Sequence, residues 1–179
     1  MTAIAVVLGL TGCQTLNEEQ CLTTDWRQLG ETDGNAGRQQ SYIARHQEAC
    51  NKFGAAVDVA AWHAGWDLGI RYHCTPENGL DRGLNGSGAS QACPADLAFD
   101  YRQAHKVGSE LHSARSAVER QRDELDDTMD ALAEATVDTI ADRRRDVEVK
   151  RKELKAAENR LDAAERAVEL FRSRLMARR

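Results

Sequence analysis

Two pairs of residues in this chain have the types and spacing of proton-transfer partners: His46 with Cys50, and His63 with Asp67. Four residues make about one helical turn, so in a helix each pair shares a face and the imidazole can exchange a proton with its neighbour. A thiol beside an imidazole is also a nucleophile pattern, provided the cysteine is free and a third group orients the base. No third group stands at a readable spacing from either pair. A metal reading uses His46, Cys50 and the adjacent His73-Cys74, but the C-x2-C pair typical of structural zinc is missing. Asp25, Asp33 and Arg38 form a third set, readable as a polar face for a ligand or as helix caps in water. Neither a G-x4-G-K-[ST] phosphate loop nor a G-x-S-x-G nucleophile elbow is present. The expectation is no catalytic residue, no metal site and no cofactor.

All of these residues lie between Cys21 and Cys93, a stretch that also holds all three tryptophans and ten of the thirteen glycines. The chain has 179 residues, of which 5% are aromatic and 30% charged, thin material for one large core. Two unequal parts are expected. A net charge of −5 gives no footprint for nucleic acid.

Helix signals inside the cysteine-bearing stretch are good. Thr23 or Thr24 can cap a helix through Asp25 and Trp26 towards Gly37. Ser41 can cap a second, 42–53, which Gly54 ends in the left-handed conformation, and Asp58 can cap a third, 59–73. Thr75-Pro76 stops the third, and the glycines at 79, 83, 86 and 88 mark an irregular loop. A faint internal repeat runs through these elements: Ala61-x3-Gly65-x3-Gly69 resembles Gly30-x3-Gly34, and Ala104-x3-Gly108 repeats it again. Small residues four apart make a smooth stripe where another helix can approach closely. Tight packing explains it more simply than a ligand does.

The first twelve residues are almost wholly apolar or small and end in Leu10-Thr11-Gly12-Cys13, which resembles the lipobox of bacterial lipoproteins. The resemblance implies lipidation of Cys13, removal of the preceding peptide, and, with Gln14 rather than Asp next in line, sorting to the outer membrane. No Lys or Arg precedes the apolar run, so translation is expected to start further upstream.

Without Cys13, four cysteines remain: Cys21, Cys50, Cys74 and Cys93. An even number in an oxidising compartment makes disulfides the default. If the first two helices form an antiparallel hairpin, Cys21 at the start of one lies beside Cys50 at the end of the other, while Cys74 ends the third helix at the other pole, where the glycine loop returns to Cys93. That pairing is the favoured one of three.

The series Asp25-Trp26-x3-Gly30-x2-Asp33-Gly34-x2-Gly37, His46-x3-Cys50, Trp62-x2-Gly65-x3-Gly69-x2-Tyr72-x-Cys74, Pro76-Glu77-Asn78-Gly79 and Cys93-Pro94 resembles a family of bacterial lipoproteins, the domain of unknown function 2799. The resemblance covers residues 13 to about 110. It implies an envelope address and no established activity.

After Gly108 no glycine or proline occurs. Apolar residues recur every seven at Leu111, Val118, Leu125 and Leu132, and again at Ile140, Val147, Leu154, Leu161, Val168 and Leu175, a coiled-coil pattern with one slip of register. Residues 109–142 carry three basic and ten acidic side chains, a net −7, whereas 143–179 carry thirteen and seven, a net +6. Opposite signs on arms of similar length suit antiparallel pairing. The arm is therefore expected to fold back between Thr136 and Arg145, with Asp138 and Asp142 as caps of the returning helix. An antiparallel dimer of straight helices is the competing arrangement.

The expectation is an all-α chain: a small disulfide-stapled helical domain followed by a long coiled-coil helix or antiparallel helical hairpin. Its parts are a lipoprotein signal peptide (1–12), a lipid anchor and linker (13–22), a cysteine- and glycine-rich helical domain (23–108) and a coiled-coil arm (109–179). The expected role is that of a non-enzymatic structural or interaction protein of the bacterial cell envelope, an outer-membrane lipoprotein facing the periplasm. It would be held to the membrane by its lipid, and its coil would engage a copy of itself or an envelope protein. The alternative is a small-ligand or metal-binding periplasmic module with the coil as oligomeriser. A pocket around Trp26, Trp62 and Trp66 would favour that alternative, and a filled core would favour the scaffold.

Overall fold

The computed structural model describes residues 15–177, so the expected signal peptide and Cys13 lie outside the described residues. Within them every regular element is helical: α1 (Glu18–Thr23), α2 (Trp26–Asn35), a 3₁₀ turn (Gln40–Tyr42), α3 (Ile43–Asn51), α4 (Val59–His73), α5 (Pro76–Leu84), α6 (Ala95–Ala133) and α7 (Ile140–Ala177). The chain divides into two compact units, 1–73 and 74–179.

In the first unit, α2 begins at Trp26 because the Asp25 carboxylate accepts from the Gln28 N–H at 3.0 Å, so Asp25 is the cap rather than a residue of the first turn. Asn17 and Gln20 form a capping box that starts α1 inside the stretch expected as linker. Ser41 caps nothing: α3 is entered through the 3₁₀ turn without a side-chain cap. Gly54 has φ +68° and Asp58 accepts from the Ala61 N–H at 2.9 Å, both as the sequence signals require. The partner of α2 is α4, not the expected α3. A Cβ at Gly30 or Gly34 would collide with the Trp62 or Trp66 backbone, and one at Gly65 or Gly69 with that of Arg27 or Glu31. These contacts advance in the same direction along both helices, so the two cross in parallel at backbone contact distance.

Cys21 is joined to Cys50 and Cys74 to Cys93. The favoured pairing is present, but its geometric reason is different. Cys21 belongs to α1, which lies on α3, and no hairpin of α2 with α3 exists.

In the second unit, the stretch expected as an irregular loop is α5 together with its exit turn. Thr75 caps α5 by accepting from the Asn78 N–H at 3.2 Å, and Pro76 suits its first turn. Its glycines are contact residues: a Cβ at Gly79 or Gly83 would strike the carbonyl of Tyr101 or His105 on α6, and one at Gly108 would strike that of Leu80.

The α5–α6 crossing repeats the α2–α4 crossing residue by residue. Gly30, Gly34, Gly37 and Arg38 correspond to Gly79, Gly83, Gly86 and Ser87 at a constant offset of 49, and Trp62, Trp66, Gly69 and His73 to Tyr101, His105, Gly108 and His112 at a constant offset of 39. Gly37 (φ +73°) sits against the His73 ring as Gly86 (φ +70°) sits against the His112 ring. The Trp66 indole N–H donates to the Arg38 carbonyl at 2.7 Å, and His105 Nε2 donates to the Ser87 carbonyl, also at 2.7 Å. Even the exit turns agree: the Arg38 N–H donates to the Asp33 carbonyl and the Ser87 N–H to the Arg82 carbonyl, each at 2.9 Å. The repeat read in the sequence is this pair of crossings, with Gly79-x3-Gly83 as the member concealed in the supposed loop.

Helix α6 runs unbroken past Gly108 into the arm, and α7 returns along it. Leu111 packs with Val168 and Leu161 in one cluster, while Lys150 reaches back to Glu124 at 2.8 Å. Contacts that rise on one helix fall on the other, so the arm is an antiparallel hairpin. Of the ten heptad positions, Leu111, Val118, Val147 and Val168 are buried and the rest half-buried. The reversal spans 134–139 and needs no glycine, because among the described residues only Gly37, Gly54 and Gly86 have positive φ. Thr139, not Asp138, organises it: its hydroxyl accepts from the Thr136 N–H at 3.1 Å and its carbonyl from the Arg143 N–H at 3.1 Å. Asp142 pairs with Arg145 at 3.0 Å.

Candidate functional site

The polar centre of the first unit is assembled from three helices. Asp33 comes from α2, His46 from α3 and Trp62 from α4; all three are buried. The Asp33 carboxylate meets His46 Nε2 at 2.8 Å and accepts from the Trp62 indole N–H at 3.0 Å, both through Oδ2. The other imidazole nitrogen, Nδ1, meets the Thr15 hydroxyl at 3.0 Å. Tyr42 covers the His46 ring edge-on at 5.2 Å between centroids, and the Arg38 guanidinium lies 4.5 Å above the Tyr42 ring.

This arrangement redistributes the residues singled out in the sequence. His46 is brought to Asp33, not to a free Cys50, whose sulfur is in the disulfide. His63 lies edge-on to the Trp62 ring at 5.2 Å, and Asp67 is exposed, so this pair is not gathered into a buried site. The polar set Asp25, Asp33 and Arg38 is dispersed as a helix cap, a buried acceptor and a ring-stacked cation. His73 Nδ1 donates to the Asn35 carbonyl at 3.1 Å beside the Cys74–Cys93 disulfide in sequence. Among the described residues no three His, Cys, Asp or Glu side chains converge as metal ligands.

Asp33 was the residue that spacing did not connect to His46, because thirteen residues and a change of helix separate them. One signal was present. Aspartate is a poor helix-interior residue, and one placed between Thr32 and Gly34 in the middle of a predicted helix needs a partner. In the second crossing the position of Asp33 is taken by Arg82 and that of Trp62 by Tyr101, whose hydroxyl accepts from the Ser90 N–H at 3.3 Å. The crossing itself therefore forms without the Asp–His–Trp knot, which is an addition specific to the first unit.

The tryptophans fill the core. Trp62 is 0% exposed and Trp66 2% exposed, and each indole N–H is spent on a protein acceptor. An open trough of about 720 Å³ lies elsewhere, along α6 and α7, lined by Ser113, Ala114, Ala117, Ala163 and Ala167.

Residues 25–110 match the family described as a protein of unknown function (DUF2799). This stretch is a DUF2799 domain. It begins at the cap of α2 and ends where α6 leaves the second crossing, so the DUF2799 domain takes in both crossings and leaves the arm outside. No curated protein and no solved structure matches the chain significantly.

Proposed function

We propose that the protein is a lipid-anchored component of the bacterial cell envelope, an outer-membrane lipoprotein of structural or interaction type without catalytic activity. Cys13 carries the lipid, the DUF2799 domain is the disulfide-stapled head, and the α6–α7 hairpin is the arm that engages an envelope protein. The observation that carries the reading is the filled tryptophan core: where a ligand-binding module would keep a pocket, Trp62 and Trp66 are closed in and their polar atoms are used within the chain. The two disulfides support an oxidising compartment. Among the described residues no helix is long and apolar enough to cross a membrane.

The test is a crosslinking pull-down from intact cells with the full-length protein and an Ala117→Glu variant, which places a charge in the trough of the arm. The expected outcome is one envelope protein captured by the parent chain and at least tenfold less by the variant, a loss equivalent to about 1.4 kcal/mol. Equal capture by both would remove the arm from the account.

A further inference from the structure

From its first described residue the chain is seated on α3. The Thr15 hydroxyl donates to the Arg45 carbonyl at 3.3 Å and meets His46 at 3.0 Å, Leu16 is buried, and Cys21 is bonded to Cys50. Cys13 precedes Thr15 by two residues, so even a fully extended chain keeps it within about 7 Å of this contact. Arg45, which receives Thr15 through its carbonyl, also carries one of two guanidiniums that share the Tyr42 ring: its own lies 5.5 Å from the centroid, and that of Arg38 4.5 Å. Both arginines are exposed. Neither pairs with a carboxylate among the described residues, although the exposed Glu18 and Glu19 stand on the first turn of α1 and Glu48 one turn beyond Arg45 on α3.

We propose that Arg38, Tyr42 and Arg45 form a surface that binds the phosphate groups of the phospholipid bilayer holding the anchor. The proposal rests on lipidation of Cys13 and names what the head touches once it is anchored. Reach is the first ground. A chain fixed to α3 two residues after its lipid has no slack with which to stand off, so the surface beside Thr15 is held at the level of the headgroups. Charge is the second: a guanidinium held over an aromatic ring keeps its N–H edge available to a phosphate and loses less side-chain freedom on binding it. Third, the fold does not use these cations. At Arg38 the crossing of α2 with α4 takes only the backbone carbonyl, and the second crossing has Ser87 in that place. At Arg45 it is again the carbonyl that holds Thr15. Glu18, Glu19 and Glu48 oppose the attraction, so the contact supplements the lipid and does not replace it.

The test places a benzoylphenylalanine photocrosslinker at position 41 of the full-length protein, exposed beside Tyr42 and without a capping role, irradiates intact cells and maps the adduct by mass spectrometry. Fatty-acid label on Cys13 is read in the same samples, so loss of the anchor and loss of the headgroup contact are told apart. The expected product carries the mass of one phospholipid at position 41. Combining Arg38→Glu with Arg45→Glu should lower its yield about tenfold while the label on Cys13 stays unchanged. Combining Arg38→Lys with Arg45→Lys keeps the charge and should keep at least half of the parent yield. Equal yield from the glutamate pair would mean that the tether alone brings the lipid near, and would overturn the proposal. So would a lysine pair as poor as the glutamate pair, an adduct with a protein in place of a lipid, or a labelled chain without an adduct. An unlabelled parent chain would overturn it by removing the anchor on which it rests.

Discussion

The indole N–H of Trp62 donates to the Asp33 carboxylate at 3.0 Å, and both residues are buried between α2 and α4. The same oxygen meets His46, so one carboxylate ties three helices together. Replacing Asp33 by Leu leaves two buried N–H donors without an acceptor, at a cost of about 1–3 kcal/mol each. Asp33→Leu is expected to destabilise the protein by about 2–5 kcal/mol in denaturant unfolding, and Asp33→Asn by less, because an amide oxygen still accepts. A loss under about 1 kcal/mol for Asp33→Leu would mean that the knot is not structural.

The crossings are expected to respond to glycine substitution by position. Gly65→Ala drives a methyl group into the Arg27 backbone, which cannot move without shifting α2, and should cost at least about 1–3 kcal/mol. Gly83→Ala meets the His105 backbone in the same way and should behave alike. Gly88→Ala, with nothing within 4 Å, should stay within about 0.5 kcal/mol. Thermal unfolding of the three variants side by side tests the equivalence of the crossings. A mild Gly83→Ala beside a severe Gly65→Ala would contradict it.

The disulfides close segments with sequence separations of 29 and 19 residues. Loop-closure entropy assigns them roughly 3.6 and 3.2 kcal/mol. Paired substitution to alanine is expected to lower stability by about 3 kcal/mol for either bond, enough to threaten folding of so small a head. Non-reducing peptide mapping should find Cys21 with Cys50 and Cys74 with Cys93; a Cys50–Cys74 peptide would contradict this fold.

The arm contains one ion pair with a defined pH window. The Lys150 ammonium, hydrogen-bonded to Glu124, holds that carboxyl below its ordinary value of 4.5. Glu124, together with Glu153, pushes Lys150 above its ordinary 10.5. A depressed carboxyl stabilises the fold above its unfolded value and loses that contribution as pH falls through its folded one. A raised ammonium stabilises below its unfolded value and loses it as pH rises. The pair is thus fully engaged from 4.5 to 10.5. Both side chains are only partly buried and are screened by salt, so the effect is small. The Tm difference between the parent chain and Lys150→Met should be constant across that window and shrink in more acidic solution.

Much of this architecture was legible because it rests on local signals. The heptads, the opposite charges of 109–142 and 143–179 and the register slip place the hairpin. The caps at Asp58 and the left-handed Gly54 place α3 and α4. Two things were not legible, for related reasons. The run 79–88 reads as a loop because glycine lowers helix propensity, yet Gly79 and Gly83 are there for the approach of the α6 backbone, a tertiary demand that no local window contains. Asp33 and Trp62 meet because α2 packs on α4, and that partnership rests on glycines distant in the chain, such as Gly34 against Gly69. The repeat was visible, but its second half was seen through Ala104 and Gly108 alone.

The envelope address is the claim on which the role of both head and arm depends, and lipidation of Cys13 tests it most directly. Cells making the full-length protein or its Cys13→Ala variant are labelled with a radioactive fatty acid, and the protein is isolated from each. Label on the parent chain together with its loss from the variant, which should then leave the membrane fraction, is the predicted result. Equal label on both chains, or no label on either with the parent found outside the membrane fraction, would contradict the account.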